Sequence, residues 1–163
     1  MNAKMTRSKI ISRSPEQTQH LGRRFGELAQ AGDVFLLTGK LGSGKTCLTQ
    51  GLAWGLDIKE YAFSPSFVLI REYSGRLPLY HIDFYRLDLI EEIADLGLDE
   101  YLYDGGVCVV EWAVKGSALM PKERLLISLS YLSDTERAIS FEPKGRRYAE
   151  LLASLGEELK TWN

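Results

Sequence analysis

Between Leu36 and Gln50 the chain reads "LLTGKLGSGKTCLTQ": a short apolar run, a glycine-rich turn and the start of a helix. The turn carries G-x-x-x-x-G-K-T from Gly39 to Thr46. A loop of this composition, set between a strand and a helix, is built to hold phosphate. Backbone N–H groups from Leu41 through Gly42, Ser43, Gly44, Lys45 and Thr46 to Cys47 are expected to face the bound oxyanion, and the helix N-terminus adds partial positive charge. Glycine is needed where a side chain would block the approach or forbid a positive φ. Lys45 supplies a point charge for the outer phosphates, and Thr46 a hydroxyl for Mg²⁺. The mechanism requires a strand before this loop and a helix after it, and the pattern supplies both.

The remaining pattern fits such a fold. Ser14-Pro15-Glu16-Gln17 reads as a helix start, with Ser at the N-cap and Pro at the first helical position. Leu21, Phe25, Leu28 and Ala29 then share one face, and Gly32 fits the stop. "DVFLLT" and "GGVCVVEW" read as buried strands. "FVLIREYSGRLPLYHIDFYRL" and "ERLLISLSYLSDTERAISFEP" read as hairpins around Ser74-Gly75 and Ser133-Asp134. "LIEEIADLGLDEYLYD" is helical with a break at Gly97. From about 147 to 160, Tyr148, Leu151, Leu152, Leu155 and Leu159 predict an amphipathic helix. The expected architecture is α/β: a P-loop NTPase-like three-layer fold with a parallel core sheet, antiparallel edge strands and flanking helices. No linker composition divides the 163 residues, so one domain over 1–163 is expected.

Two acids stand where a phosphate site needs them. Asp83 in "LYHIDFYR" and Glu111 in "VCVVEW" each end an apolar strand. Either can hold Mg²⁺, Asp83 directly or through water, and Glu111 can also polarise an attacking water. Asp83 has a plainer reading as a cap of the following turn. "SPSF", with Ser64, Pro65 and Ser66, reads as a loop whose hydroxyls can reach the γ-phosphate or its metal and respond to the nucleotide. Arg86 suits a phosphate, a partner or a surface ion pair, and Trp112 either stacks on a ligand or packs.

The formal net charge of −2 argues against a broad nucleic-acid platform. Cys47 and Cys108 have no metal-ligand spacing and read as buried thiols of a reducing, cytoplasmic protein. No apolar run is long enough for a signal peptide or membrane span. The only asparagines are Asn2 and Asn163, so no N-K-x-D guanine-reading segment exists and GTP is disfavoured. Between Glu72 and Pro121 the arginines are Arg76 and Arg86, with no clear paired-arginine acceptor lid, which weakens a kinase reading without excluding it. Three readings remain open on the residues alone: an ATPase, a small-molecule kinase and a non-catalytic nucleotide sensor.

"GKLGSGKTCLTQGLAWGL", "SPSFVLIREY", "YHIDFYRLD" and "VCVVEW", in this order and spacing, resemble the TsaE family, also called YjeE. These are small bacterial P-loop ATPases required to form threonylcarbamoyladenosine in tRNA. The resemblance runs from the helix at Ser14 to the strand near Leu129. It implies ATP as substrate, Mg²⁺ held by Thr46 and Glu111, a Walker-B-like segment at Asp83 and a switch-like loop at 64–67. It also implies that the chain is not the transferase. It would serve a pair of related proteins, TsaD and TsaB, and meet tRNA through them. Lys40 stands where the family usually has an acid, Ser66 where Thr is more usual, and Cys47 where a second Thr is common.

Overall fold

The computed structural model describes residues 8–62 and 69–162. The first helix, α1, covers Pro15–Leu28. Ser14 caps it by accepting from the Gln17 N–H at 3.1 Å, and the Gln17 side chain accepts from the Arg13 N–H at 2.8 Å. Its C-terminus departs from expectation, because the helix stops at Leu28 and Gly32 lies beyond it with φ +91°. Two arginines account for the early stop. Arg76 donates to the Gly26 and Ala29 carbonyls at 2.7 and 3.1 Å, and Arg147 donates to Leu28 at 2.8 Å. The end carbonyls are satisfied from distant sequence, so no glycine cap is needed. Arg76 is thereby committed to structure and is no part of a lid.

The parallel core consists of β2 (Val34–Thr38), β4 (Leu79–Asp83), β5 (Val107–Glu111) and β6 (Arg124–Tyr131). β2 lies between β5 and β6, and β4 pairs with the outer side of β5, all in parallel. Antiparallel partners extend both sides. β3 (Ile70–Tyr73) pairs with β4, and β7 (Arg137–Lys144) pairs with β6. β1 (Ser8–Ser12) adds to β7 and completes a seven-stranded sheet ordered β1-β7-β6-β2-β5-β4-β3. Both hairpins form as the turn signals predict. The β1 segment alternates only weakly in sequence, and it becomes a strand because β7 offers it an edge.

Successive residues on a strand face opposite sides, so each strand feeds two cores. Phe35, Leu37, Val107, Val109, Leu125 and Ile127 pack under α1, under α2 (Lys45–Gly55) and under α5 (Arg146–Ser154). Val34, Leu36, Ile82, Cys108 and Val110 face the other layer. That layer comprises α3 (Ile90–Ala94), α4 (Asp99–Leu102) and a 3-10 helix over Ala113–Leu119, the last unforeseen in the sequence. Gly97, at φ +68°, makes the expected break between α3 and α4.

The C-terminal helix is not continuous. It divides at Leu155 into α5 and α6 (Gly156–Lys160). Leu155 is buried, its N–H bonds to Leu152 three residues back, and the next residue is Gly156, a weak helix former. Burying Leu155 turns the chain, and Leu159 is left only partly covered.

α1 and α2 touch through their backbones. A Cβ on Gly51 would lie 1.9 Å from the Gln19 carbonyl oxygen, and one on Gly22 would lie 2.1 Å from the Leu48 oxygen. Gly26 and Gly55 meet in the same way, each 2.2 Å from a backbone oxygen of the opposite helix. Glycines four apart on both helices make this seam, and it fixes α2 against α1.

Candidate functional site

β2 is the point at which the sheet's connections reverse, since its neighbours β5 and β6 lie on opposite sides. Ligands of open α/β sheets sit beyond the carboxyl end of such a strand. The loop at 39–44 leaves β2 there and enters α2. Gly42 and Gly44 hold φ +80° and +103°, conformations that a side chain would strain, and Gly44 is the N-cap of α2. Arg137 of β7 donates to the Gly42 carbonyl at 3.1 Å and braces the loop from outside.

Lys45 is 5% exposed. Its Nζ donates to the Gly39 and Lys40 carbonyls at 2.7 and 3.0 Å, and it lies 4.4 Å from the centre of the Trp112 ring. Burial pulls its pKa below the ordinary lysine value, while Glu111 and Asp83 act the other way and favour the charge. A desolvated ammonium between two carboxylates and an aromatic face is a ready partner for phosphate oxygens.

A cavity of about 340 Å³ opens at this point. Leu41, Gly42, Gly44, Lys45, Thr46 and Cys47 form one side, and Tyr85, Glu111 and Trp112 the other. The structure thus gathers most of the residues expected from the sequence. Ser43 is an exception: it is buried and lines a neighbouring cavity with Gly39 and Lys40. Asp83 is buried behind the lining, opposite Glu111 in the β4–β5 register. Its Oδ1 accepts the Tyr85 N–H at 2.7 Å, so the turn-capping reading holds for that oxygen. Ser64, Pro65 and Ser66 lie outside the described residues. Cys108 is buried as expected, whereas Cys47 is only half-buried, on the cavity rim, with Sγ 3.3 Å from the Pro15 carbonyl oxygen.

Two features go beyond the sequence reading. His81 is fully buried, and its Nε2 lies 2.5 Å from Glu111 Oε2. An ionised carboxylate only accepts, so Nε2 donates and holds the carboxylate in place. Residues i and i+2 of a strand share a face, and this period puts His81 beside Asp83 on the Glu111 side. Trp112 follows Glu111 at φ +57°, with its ring 5.1 Å from Tyr85. Trp112 therefore packs on Tyr85 and covers Lys45, so it stands over the cavity.

Thr46 and Glu111 offer hard oxygen donors at one cavity. Among the described residues no group of three or more His, Cys, Asp or Glu is arranged to hold a metal ion. A magnesium ion at a phosphate needs only one or two protein oxygens, and these two fit that demand.

A family profile, "Threonylcarbamoyl adenosine biosynthesis protein TsaE", matches residues 12–139. The chain belongs to the TsaE family. The protein of Bacillus subtilis named for TsaE is 46% identical over 143 residues, covering 87% of this chain and 89% of the relative. That of Treponema pallidum is 43% identical over 132 residues, covering 81% and 98%. The crystal structure of Bacillus subtilis YdiB superposes with a TM-score of 0.83 at 39% identity, covering 96% of this chain and 99% of that one. The TsaE profile spans β2, α2, β4 and β5, and so includes the cavity just described. Family membership places the chain in tRNA threonylcarbamoyladenosine biosynthesis.

Proposed function

We propose that the chain is the Mg²⁺-dependent ATPase of this pathway, a cytoplasmic subunit that hydrolyses ATP to support repeated turnover by a TsaD–TsaB pair and meets tRNA only through that pair. One observation carries the reading: Lys45, Thr46 and Glu111 converge on a single cavity at the reversal point of a parallel sheet. Lys45 would exchange the Gly39 and Lys40 carbonyls for β- and γ-phosphate oxygens and stabilise charge as it develops there. Bound Mg²⁺ would neutralise further phosphate charge, held through the Thr46 hydroxyl and the Glu111 carboxylate, with Asp83 behind. Glu111, oriented by His81, would align the attacking water. Trp112 and Tyr85 would keep bulk water away from Lys45. Among the described residues no helix is long and apolar enough to cross a membrane.

The test is ATP hydrolysis by the purified chain with Mg²⁺, alone and with the TsaD–TsaB pair. A slow basal rate that rises with the pair is expected. A rate indifferent to the pair, with ATP consumed only when a small alcohol or nucleoside is present, would replace this reading with a kinase. Full function with a non-hydrolysable analogue would replace it with a sensor.

His81 is a positioning residue on this reading. His81→Ala is expected to lower the stimulated rate by about 10-fold or more, as loss of an outer-shell partner does. ATP affinity should stay within about twofold, and His81→Asn, which keeps a donor, should recover part of the rate. Equal loss of ATP affinity and rate in both variants would reduce His81 to a packing residue.

A further inference from the structure

The cavity's outer wall continues past Tyr85 into an exposed surface. Tyr85, Leu89 and Ile90 follow β4, and Val114 follows β5. All four are exposed, Leu89 to 59% and Val114 to 65%. Leu89 and Ile90 open α3, which packs against the 3-10 helix that carries Val114, and Lys115 of that helix donates to the Tyr85 carbonyl at 2.7 Å. Tyr85 joins them to the cavity, with its ring on Trp112 and Trp112 over Lys45. Tyr85 lines the cavity, and large apolar side chains left exposed on the adjoining elements mark a contact surface.

The charge beside them selects what can cover it. From Asp88 to Asp104 every charged residue is acidic, and no Lys, Arg or His occurs between Arg86 and Lys115. The carboxylates are exposed, and among the described residues their one ion pair is Asp88 with Lys115 at 3.8 Å. A phosphate backbone is repelled by such a rim, and a second copy would bring acid against acid.

We infer that the β4–α3 segment and the 3-10 helix form the docking face for a partner protein that is apolar at the centre of contact and basic around it. The inference rests on the reading of this chain as a partner-coupled ATPase and names the face through which the coupling passes. The partner then covers Tyr85 and Val114, next to the aromatic ring over the phosphate-loop lysine, where the state of the nucleotide is within reach. The acidic rim draws the basic surface in and sets its orientation, and the apolar side chains hold it.

Two double variants of the full chain test this, Glu91→Lys/Asp95→Lys for the rim and Leu89→Ser/Val114→Ser for the centre. Neither touches the cavity lining. Binding to the purified TsaD–TsaB pair is measured at low and high salt, together with ATP binding and basal hydrolysis by the free chain. Each variant is expected to weaken binding about 10-fold or more, in line with loss of interface anchors, while ATP binding and basal hydrolysis stay unchanged. Salt should weaken the parent complex and have much less effect on the charge-reversed one. Parent-like binding by both variants would overturn the docking face and leave the ATPase reading intact. Absence of binding by the parent chain would overturn the coupled reading and this face with it. Binding of free tRNA, or self-association, that is lost in these variants would assign the face to another occupant and overturn the proposal.

Discussion

Lys45→Ala is expected to lower ATP hydrolysis in the presence of the partner pair by about 10²–10³-fold, the usual cost of removing one preorganised charge from a transition state. The ammonium is buried where its attraction for phosphate is little screened, and it offsets Glu111 and Asp83. Without it, the two acids would face the phosphates uncompensated, so ATP affinity should fall as well. Lys45→Arg is not expected to rescue. A planar guanidinium cannot occupy the narrow place between the Gly39 and Lys40 carbonyls and the Trp112 ring as a compact ammonium does. Thermal unfolding of the free chain is the control, because Lys45 also tethers its own loop. A stimulated rate within about twofold of the parent would remove Lys45 from the chemistry.

Gly51→Val is expected to abolish folding, and Gly51→Ala to cost about 3 kcal/mol or more, the upper end of what overpacking does. The atom in the way is the backbone oxygen of Gln19, 1.9 Å from the position of a Cβ. A backbone cannot step aside as a side chain can, so α1 and α2 would have to part along the seam that Gly22, Gly26 and Gly55 continue. α2 begins with Lys45 and Thr46, so Gly51→Ala should also weaken ATP binding, although Gly51 lies far along the helix. Urea unfolding and ATP titration of the same variant measure both effects. A stability within about 0.5 kcal/mol of the parent would show that the helices can separate at little cost, contrary to the packing described.

The order of elements was legible because each carried a local signal. The apolar runs of β2 and β5, the glycines of the phosphate loop, the Ser14 cap and the hairpin turns all act within a few residues. What stayed hidden depends on partners distant in sequence. Arg76 and Arg147 end α1 from other parts of the chain, and the four seam glycines look like weak points of two helices until the helices are set together. β1 is a strand by virtue of β7. Asp83 and Glu111 could be picked out as acids ending apolar strands, and the register places them side by side. His81 carried the same face period as Asp83, but only the pairing of β4 with β5 makes Glu111 its neighbour. The 3-10 helix and the left-handed Trp112 follow from tertiary packing rather than propensity. Leu155 shows the reverse case, where a sound helical period is interrupted because burying one side chain outweighs continuing the helix.

The place of β2 in the sheet has a consequence for the order of events during synthesis. The phosphate loop belongs to the first third of the chain, yet β2 is flanked by β5 and β6, and the loop is braced by Arg137 of β7. A nascent chain that has emerged only through α2 holds the whole Gly39–Thr46 motif with neither flanking strand nor brace. On the proposed function, nucleotide capture would then await the last hairpin. A chain cut short before β7 would retain the motif and lack the brace that shapes its loop, so ribosome-bound intermediates of this protein would emerge without competing for the cell's ATP.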